Sequence, residues 1–150
     1  MSAKKILFFS HEVKVRTQHK EKIREWLDKT AKKHHHNIDS VHIIFCSDEF
    51  LRKINKEYLN HDYYTDIVTF HYGETESTLS GELYISIDRI RENAVKFNIK
   101  REDEKRRVII HGLLHLLGFN DENREEKEKM NALEDKYLLH FEQMLTKSST

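Results

Sequence analysis

A chain of 150 residues is long enough to bury a real core and is expected to form one domain, 1–150. Hydrophobic residues make up 37%, charged residues 35%, and the formal net charge is zero, so no global field draws the chain onto nucleic acid or a lipid surface. No apolar run approaches the ~20 residues of a membrane span, and the short stretch Ile6 to Phe9 is too brief for the core of a signal peptide. These features point to a cytoplasmic globular protein.

Charge is placed unevenly. Eight Lys/Arg stand against three Asp/Glu between Val13 and His36, whereas four stand against eight between Asp121 and Leu145. A basic N-terminal face could meet phosphates, although such a run also suits a solvated helix face. Cys46 is the sole cysteine, in an apolar alternating segment, and reads as a small core hydrophobe in a reducing compartment.

Residues 5–9, KILFF, read as a strand, and Arg16 to His36 as an amphipathic helix with Ile23, Trp26, Leu27 and Thr30 at helical spacing. In His34-His35-His36, three adjacent side chains point in different directions, which argues against one shared metal. SVHIIFC, Ser40 to Cys46, is β-branched and alternating, hence a strand. Ser47 can cap a helix that buries Phe50, Leu51, Ile54 and Tyr58. LNHDYYTD is loop-like and leads into the strand IVTFHY. GETESTLSG reads as a loop between Gly73 and Gly81, and GELYISI as a strand ending at Asp88, which could cap a helix through Phe97. A charged start at Arg101 gives way to VIIHGLLHLLG, a helix too apolar to keep a solvent face. Glu122 to Leu145 forms a last helix with Met130, Leu133, Tyr137, Leu138, Phe141 and Leu145 as its buried stripe. This order predicts an α+β fold, a small mixed sheet of about four strands with helices mainly on one face.

The chemistry concentrates in HGLLHLLGFND, His111 to Asp121. On a helix, two histidines four apart share one face, with Cβ atoms ~6 Å apart, so both rings can reach one ion. Buried imidazoles need partners, and one metal would serve both. Gly118 can take the left-handed conformation that ends a helix, swinging Asp121 towards the histidines. His111, His115 and Asp121 would then supply three metal ligands and leave a fourth position open, as in catalytic rather than structural zinc sites. The alternative is two histidines satisfied by backbone carbonyls, with Asp121, Glu122 or Asn123 capping the next helix. Such spacing also suggests a zinc peptidase, but the peptidase glutamate of H-E-x-x-H is here Gly112, which cannot accept a proton.

HGLLHLLGFND resembles the signature of the YbeY family, bacterial metal-dependent endoribonucleases and rRNA maturation factors. INKEYLNHDYYTDIVTF, Ile54 to Phe70, and GELYIS, Gly81 to Ser86, resemble two further family segments in the same order. The resemblance implies a zincin-like α+β fold and one zinc ion. It also implies single-strand-directed endoribonuclease activity in rRNA maturation at the 16S 3′ end, with the small ribosomal subunit as partner and no DNA substrate. Two departures matter. The family's third ligand is usually histidine, where this chain has Asp121. The family's arginine falls at Leu59, which cannot hold a phosphate through paired hydrogen bonds. Thr65 and Asp66 match without an evident role, and Tyr64 replaces a proline.

Phosphate contacts would then come from Lys14, Arg16, Lys20 and Arg24, or from Arg101, Lys105, Arg106 and Arg107. Tyr63, Tyr64, Phe70, His71 and Tyr72 could stack on unpaired bases or fill the core. A ribosome-assembly factor with a structural metal is the second expectation, favoured by Leu59, and a metallopeptidase the third. The general acid and base are not legible.

Overall fold

A computed structural model of the chain describes residues 5–72 and 77–148. Four strands, β1 (Ile6–Ser10), β2 (Asn37–Cys46), β3 (Ile67–His71) and β4 (Thr78–Ser86), form one sheet in the order β1-β2-β4-β3. β1, β2 and β4 run parallel, and β3 is antiparallel to β4 at the edge. Five helices complete the α+β fold: α1 (Lys20–Lys33), α2 (Asp48–Leu59), α3 (Ile87–Lys96), α4 (Arg101–Leu116) and α5 (Arg124–Ser148).

Strand alternation divides the side chains between two faces. Ile6, Val41, Ile43, Phe45, Leu79, Leu83 and Ile85 join the large core with α1, α3, α4 and α5. Cys46 and Val68 face the other way and pack with Leu51 and Ile54 of α2. α1 and α5 are tied together by Trp26, whose Nε1 donates to the Tyr137 carbonyl at 2.8 Å and whose ring meets Phe141 edge-on. Emptying such a site typically costs about 3–5 kcal/mol.

α4 lies against the sheet, and Gly112 allows its close approach. A Cβ there would stand 2.7 Å from Ile67 Cδ1 and 2.9 Å from Leu83 Cδ2. Among the described residues, no helix is long and apolar enough to cross a membrane.

Several local expectations change. α1 begins at Lys20 rather than Arg16, because His19 has φ 59°, outside helical space. β2 begins at Asn37, whose N–H is held by the Ser77 carbonyl at 2.8 Å. Ser86, not Asp88, caps α3 by accepting from Arg89 N at 3.2 Å; Asp88 instead accepts from Asp48 N at 2.7 Å. Thr78 to Ser80 belong to β4 rather than to a loop, and 73–76 lie outside the described residues. Tyr58 is 68% exposed, because α2 turns it towards the sheet's open edge, where it meets Phe70 edge-on.

Candidate metal centre

The last two turns of α4 carry His111 and His115, and the chain reverses immediately after them. Gly118 has φ 101°, its N–H bonds the His115 carbonyl at 3.0 Å, and the Phe119 N–H bonds the Leu114 carbonyl at 3.0 Å. This paired pattern is a Schellman cap. A Cβ on Gly118 would meet nothing within 4 Å, so glycine is required by backbone conformation rather than by space.

The turn returns Asp121 to the histidine face. Asp121 Oδ2 lies 3.3 Å from His111 Nε2 and 3.4 Å from His115 Nε2, and the two Nε2 atoms are 3.0 Å apart. Around a tetrahedral ion with donors at ~2.0–2.1 Å, the donors stand roughly 3.3 Å from one another. The observed triangle therefore matches a single small divalent cation, and His111, His115 and Asp121 together could hold one. The capping alternative for Asp121 does not apply. α5 begins at Arg124, two residues later than expected, and Asn123 Oδ1 caps it by accepting from Glu126 N at 2.8 Å. Neither ring nitrogen facing the triangle is engaged by a main-chain oxygen.

A fourth residue was not anticipated from the sequence. Glu134, on α5, is 4% exposed and accepts from His111 Nδ1 at 2.6 Å through Oε2. Its Oε1 accepts from Arg107 Nη1 at 3.0 Å, and Arg107 Nη2 reaches Asp135 at 3.2 Å. With Nδ1 donating to this carboxylate, His111 presents the Nε2 lone pair to the triangle. Burial pulls the His111 pKa down, but the hydrogen bond and charge of Glu134, with Asp121 and Asp66, outweigh it and raise the value above the ordinary 6.5. The signal was present in the sequence: Met130, Glu134, Tyr137 and Phe141 lie on one helical face, and an acid among core positions needs a partner.

The triangle opens into a cavity of about 350 Å³ lined also by Asn55, Leu59, His61, Tyr63, Thr65 and Asp66. Asp66 is half-buried there, and burial raises its carboxyl pKa against the opposing pull of His111 and backbone N–H groups. Tyr63 is exposed and stacks on His61 with centroids 5.3 Å apart, so it lies on the rim rather than in the core. Leu59 does line the cavity, and among the described residues no Lys or Arg does.

Of the eight cations expected to bind phosphate, Lys14, Arg16, Lys20 and Arg101 are exposed, and the other four are committed elsewhere. Lys105 is buried and reaches the Arg16 carbonyl and Glu102. Arg106 is buried against Phe141 and pairs with Asp103, while Arg107 serves Glu134. Arg24 donates to the Ile6 carbonyl at 2.8 Å and to Glu21. Heavily charged helix starts favour such local ion pairs, which sequence counting does not reveal.

A mixed four-stranded sheet with a His/His/Asp cluster at the end of the helix packed against it defines a small α+β protein with a helix-borne site that could hold a metal. The model of the family Endoribonuclease YbeY matches residues 5–142. The chain is 43% identical to an Endoribonuclease YbeY of Cytophaga hutchinsonii over 135 residues, 90% of this chain and 94% of the relative. It is 46% identical to that of Bacteroides thetaiotaomicron over 119 residues, 79% of this chain and 86% of the relative. Its fold resembles the solution structure of TM1509 from Thermotoga maritima, with TM-score 0.64 and 25% identity over 95% of this chain and 93% of that one. The chain belongs to the YbeY endoribonuclease family.

Proposed function

We propose that this chain is a single-domain, cytoplasmic, zinc-dependent endoribonuclease acting on single-stranded RNA in rRNA maturation, including the 16S 3′ end, with the small ribosomal subunit as partner. The observation that carries this reading is the donor triangle of His111, His115 and Asp121, with sides of 3.0, 3.3 and 3.4 Å, in a chain of this family. One bound zinc ion would supply Lewis acidity towards a phosphodiester and acidify a water molecule. Glu134 holds the ring of His111, Gly118 sets the approach of Asp121, and Tyr63 offers a face to an unpaired base at the cavity rim. Asp66 lines the same cavity, where its carboxylate can accept a proton and return it to the leaving oxygen.

Peptide hydrolysis is disfavoured on packing as well as chemistry. The position of the peptidase glutamate is Gly112, turned against Leu83 and Ile67, where no side chain has room. A second reading, an RNA- or ribosome-binding factor with a structural metal, draws support from Leu59 and from the lack of Lys or Arg among the described residues of the cavity lining.

One experiment separates the three. The purified protein, with and without chelator, is offered single-stranded rRNA fragments and denatured casein, and its metal content is measured. Chelator-sensitive RNA cleavage lost in His115→Ala supports the nuclease. Binding without cleavage supports the assembly factor, and casein cleavage overturns both.

A further inference from the structure

An RNA nuclease must hold phosphates, yet among the described residues the metal cavity presents two carboxylates and no Lys or Arg. The aromatic groove on the opposite face of the sheet, between α2 and β3–β4, carries Glu57 and Glu82 against Lys53, a balance that repels a polyanion. A third surface has the opposite sign and connects to the metal turn. Phe119, just past Gly118, meets the ring of His34 at 5.2 Å, and His34 Nε2 lies 2.7 Å from the Tyr137 hydroxyl. Lys129 lies over Phe119, and Lys33 and Lys136 lie over Tyr137. Lys33 Nζ then contacts His140 Nδ1 at 3.0 Å, and both line a groove of about 260 Å³ between α1 and α5 with Lys29, Gln143 and Lys147.

Lys33, Lys129 and Lys136 have no carboxylate partner within 4.0 Å among the described residues; Lys29 shares Glu25 with Lys22. Lys32 is paired with Asp28 and stands apart from this set. The local field is correspondingly positive. Burial, and then the lysine charges beside them, hold both His34 and His140 below the ordinary histidine pKa. From Lys129 to Lys147, the α5 edge of the surface runs about 27 Å at the helical rise.

We propose that this seam, entered at Phe119 and lined by Lys129, Lys136, Lys33 and Lys29, is the track on which the phosphate backbone of single-stranded RNA lies as it approaches the metal centre. The inference rests on the RNA-cleaving reading, and it adds where the polyanion is held. Lysines spaced along a groove suit a flexible backbone without sequence preference, and Phe119 offers a ring where the strand turns towards the cavity.

The test measures binding of a fluorescein-labelled uridine 20-mer by anisotropy across a salt series. It uses the full chain in a His115→Ala background, so that the probe survives. Lys29→Gln, Lys33→Gln and Lys136→Gln are combined, and the control combines Lys53→Gln, Lys56→Gln and Lys96→Gln, which removes the same charge elsewhere. Neutralising three phosphate contacts is expected to weaken binding about tenfold at low salt and to flatten the log–log salt slope by about 2. The control should bind as the His115→Ala parent does. In the native background, the track variant should load metal normally.

Equal binding by track and control variants overturns the track while leaving the nuclease reading standing. A parent that binds no RNA at all removes both. Competition by polyglutamate as effective, charge for charge, as by polyuridylate would assign the seam to an acidic protein segment and overturn the proposal.

Discussion

Nδ1 of His111 lies 2.6 Å from Oε2 of Glu134, a carboxylate 23 residues later on a different helix and almost wholly buried. The pair fixes which ring nitrogen of His111 faces the donor triangle, and Arg107 fixes the carboxylate in turn. Glu134 is therefore a positioning residue. Glu134→Ala is expected to weaken zinc affinity about 10–100-fold, as the loss of such supporting carboxylates typically does. Glu134→Gln keeps an acceptor for Nδ1–H and should recover part of the loss. Competition with a chromogenic chelator measures both, and circular dichroism checks the fold. Unchanged affinity in the alanine variant would refute the role.

Gly118 reverses the chain at φ 101° with open space around its Cα. Gly118→Ala should therefore cost about 1–2 kcal/mol through backbone strain alone. Because the same turn delivers Asp121, metal affinity should fall with stability. Urea unfolding would show a lowered midpoint with an unchanged m-value. Gly112→Ala fails for a different reason, crowding Ile67 and Leu83, and overpacking of that kind costs about 1–3 kcal/mol. Full stability in Gly118→Ala would show that the turn tolerates a side chain.

The contrast between these residues explains what could be read before the fold was seen. His111, His115, Gly118 and Asp121 lie within eleven residues, so helical periodicity and one turn rule suffice to bring them together. Glu134 shows locally only as an acid on the buried stripe of α5; that it and Asp66 reach the same place follows from the packing of α5 and β3 against α4, which no local pattern encodes. The strand and helix order was legible from alternation and apolar stripes. The ends were not, because a chain without proline marks them only through left-handed residues such as His19 and caps such as Ser86. Lys105, Arg106 and Arg107 of α4, expected to face phosphate, are instead engaged by i−3 acids, the Arg16 carbonyl and the carboxylates of Glu134 and Asp135, whereas Arg101 stays exposed. The lysines of the α1–α5 seam acquire meaning only once the two helices lie side by side.

Cys46 is fully buried beneath α2, where its Sγ–H reaches the Ile85 carbonyl at 3.6 Å. Burial, with the charges of Asp88 and Asp48, pushes the thiol up to about 12. Its thiolate fraction at pH 8 should be about a thousandfold below that of a free cysteine, before any steric protection is counted. A thiol-reactive dye should therefore label the native protein only at the rate of unfolding, and label it at once in denaturant. Rapid labelling of the folded chain would show that this corner of the core opens.

Glu104 faces the interior of α4 and is 4% exposed. Burial raises its carboxyl pKa, Asp66 and Glu134 add to the effect, and the Asn93 amide and Arg107 oppose it without cancelling it. A carboxyl whose folded pKa exceeds its unfolded value binds more protons in the native state. Its charge then costs stability as pH rises from the unfolded value through the folded one, and the full cost is present above both. Glu104→Gln removes that cost while keeping size and an acceptor for Asn93. The variant is expected to melt higher than the parent at pH 7, with chelator present so that metal loading does not vary. The advantage should shrink on acidification and vanish below about pH 4, where both states of the parent are protonated. Calorimetry at several pH values measures it. A variant that melts lower at pH 7, or gains equally at every pH, would show that the buried charge is fully compensated by Arg107 and that the acidic interior beside the metal helix carries no electrostatic penalty.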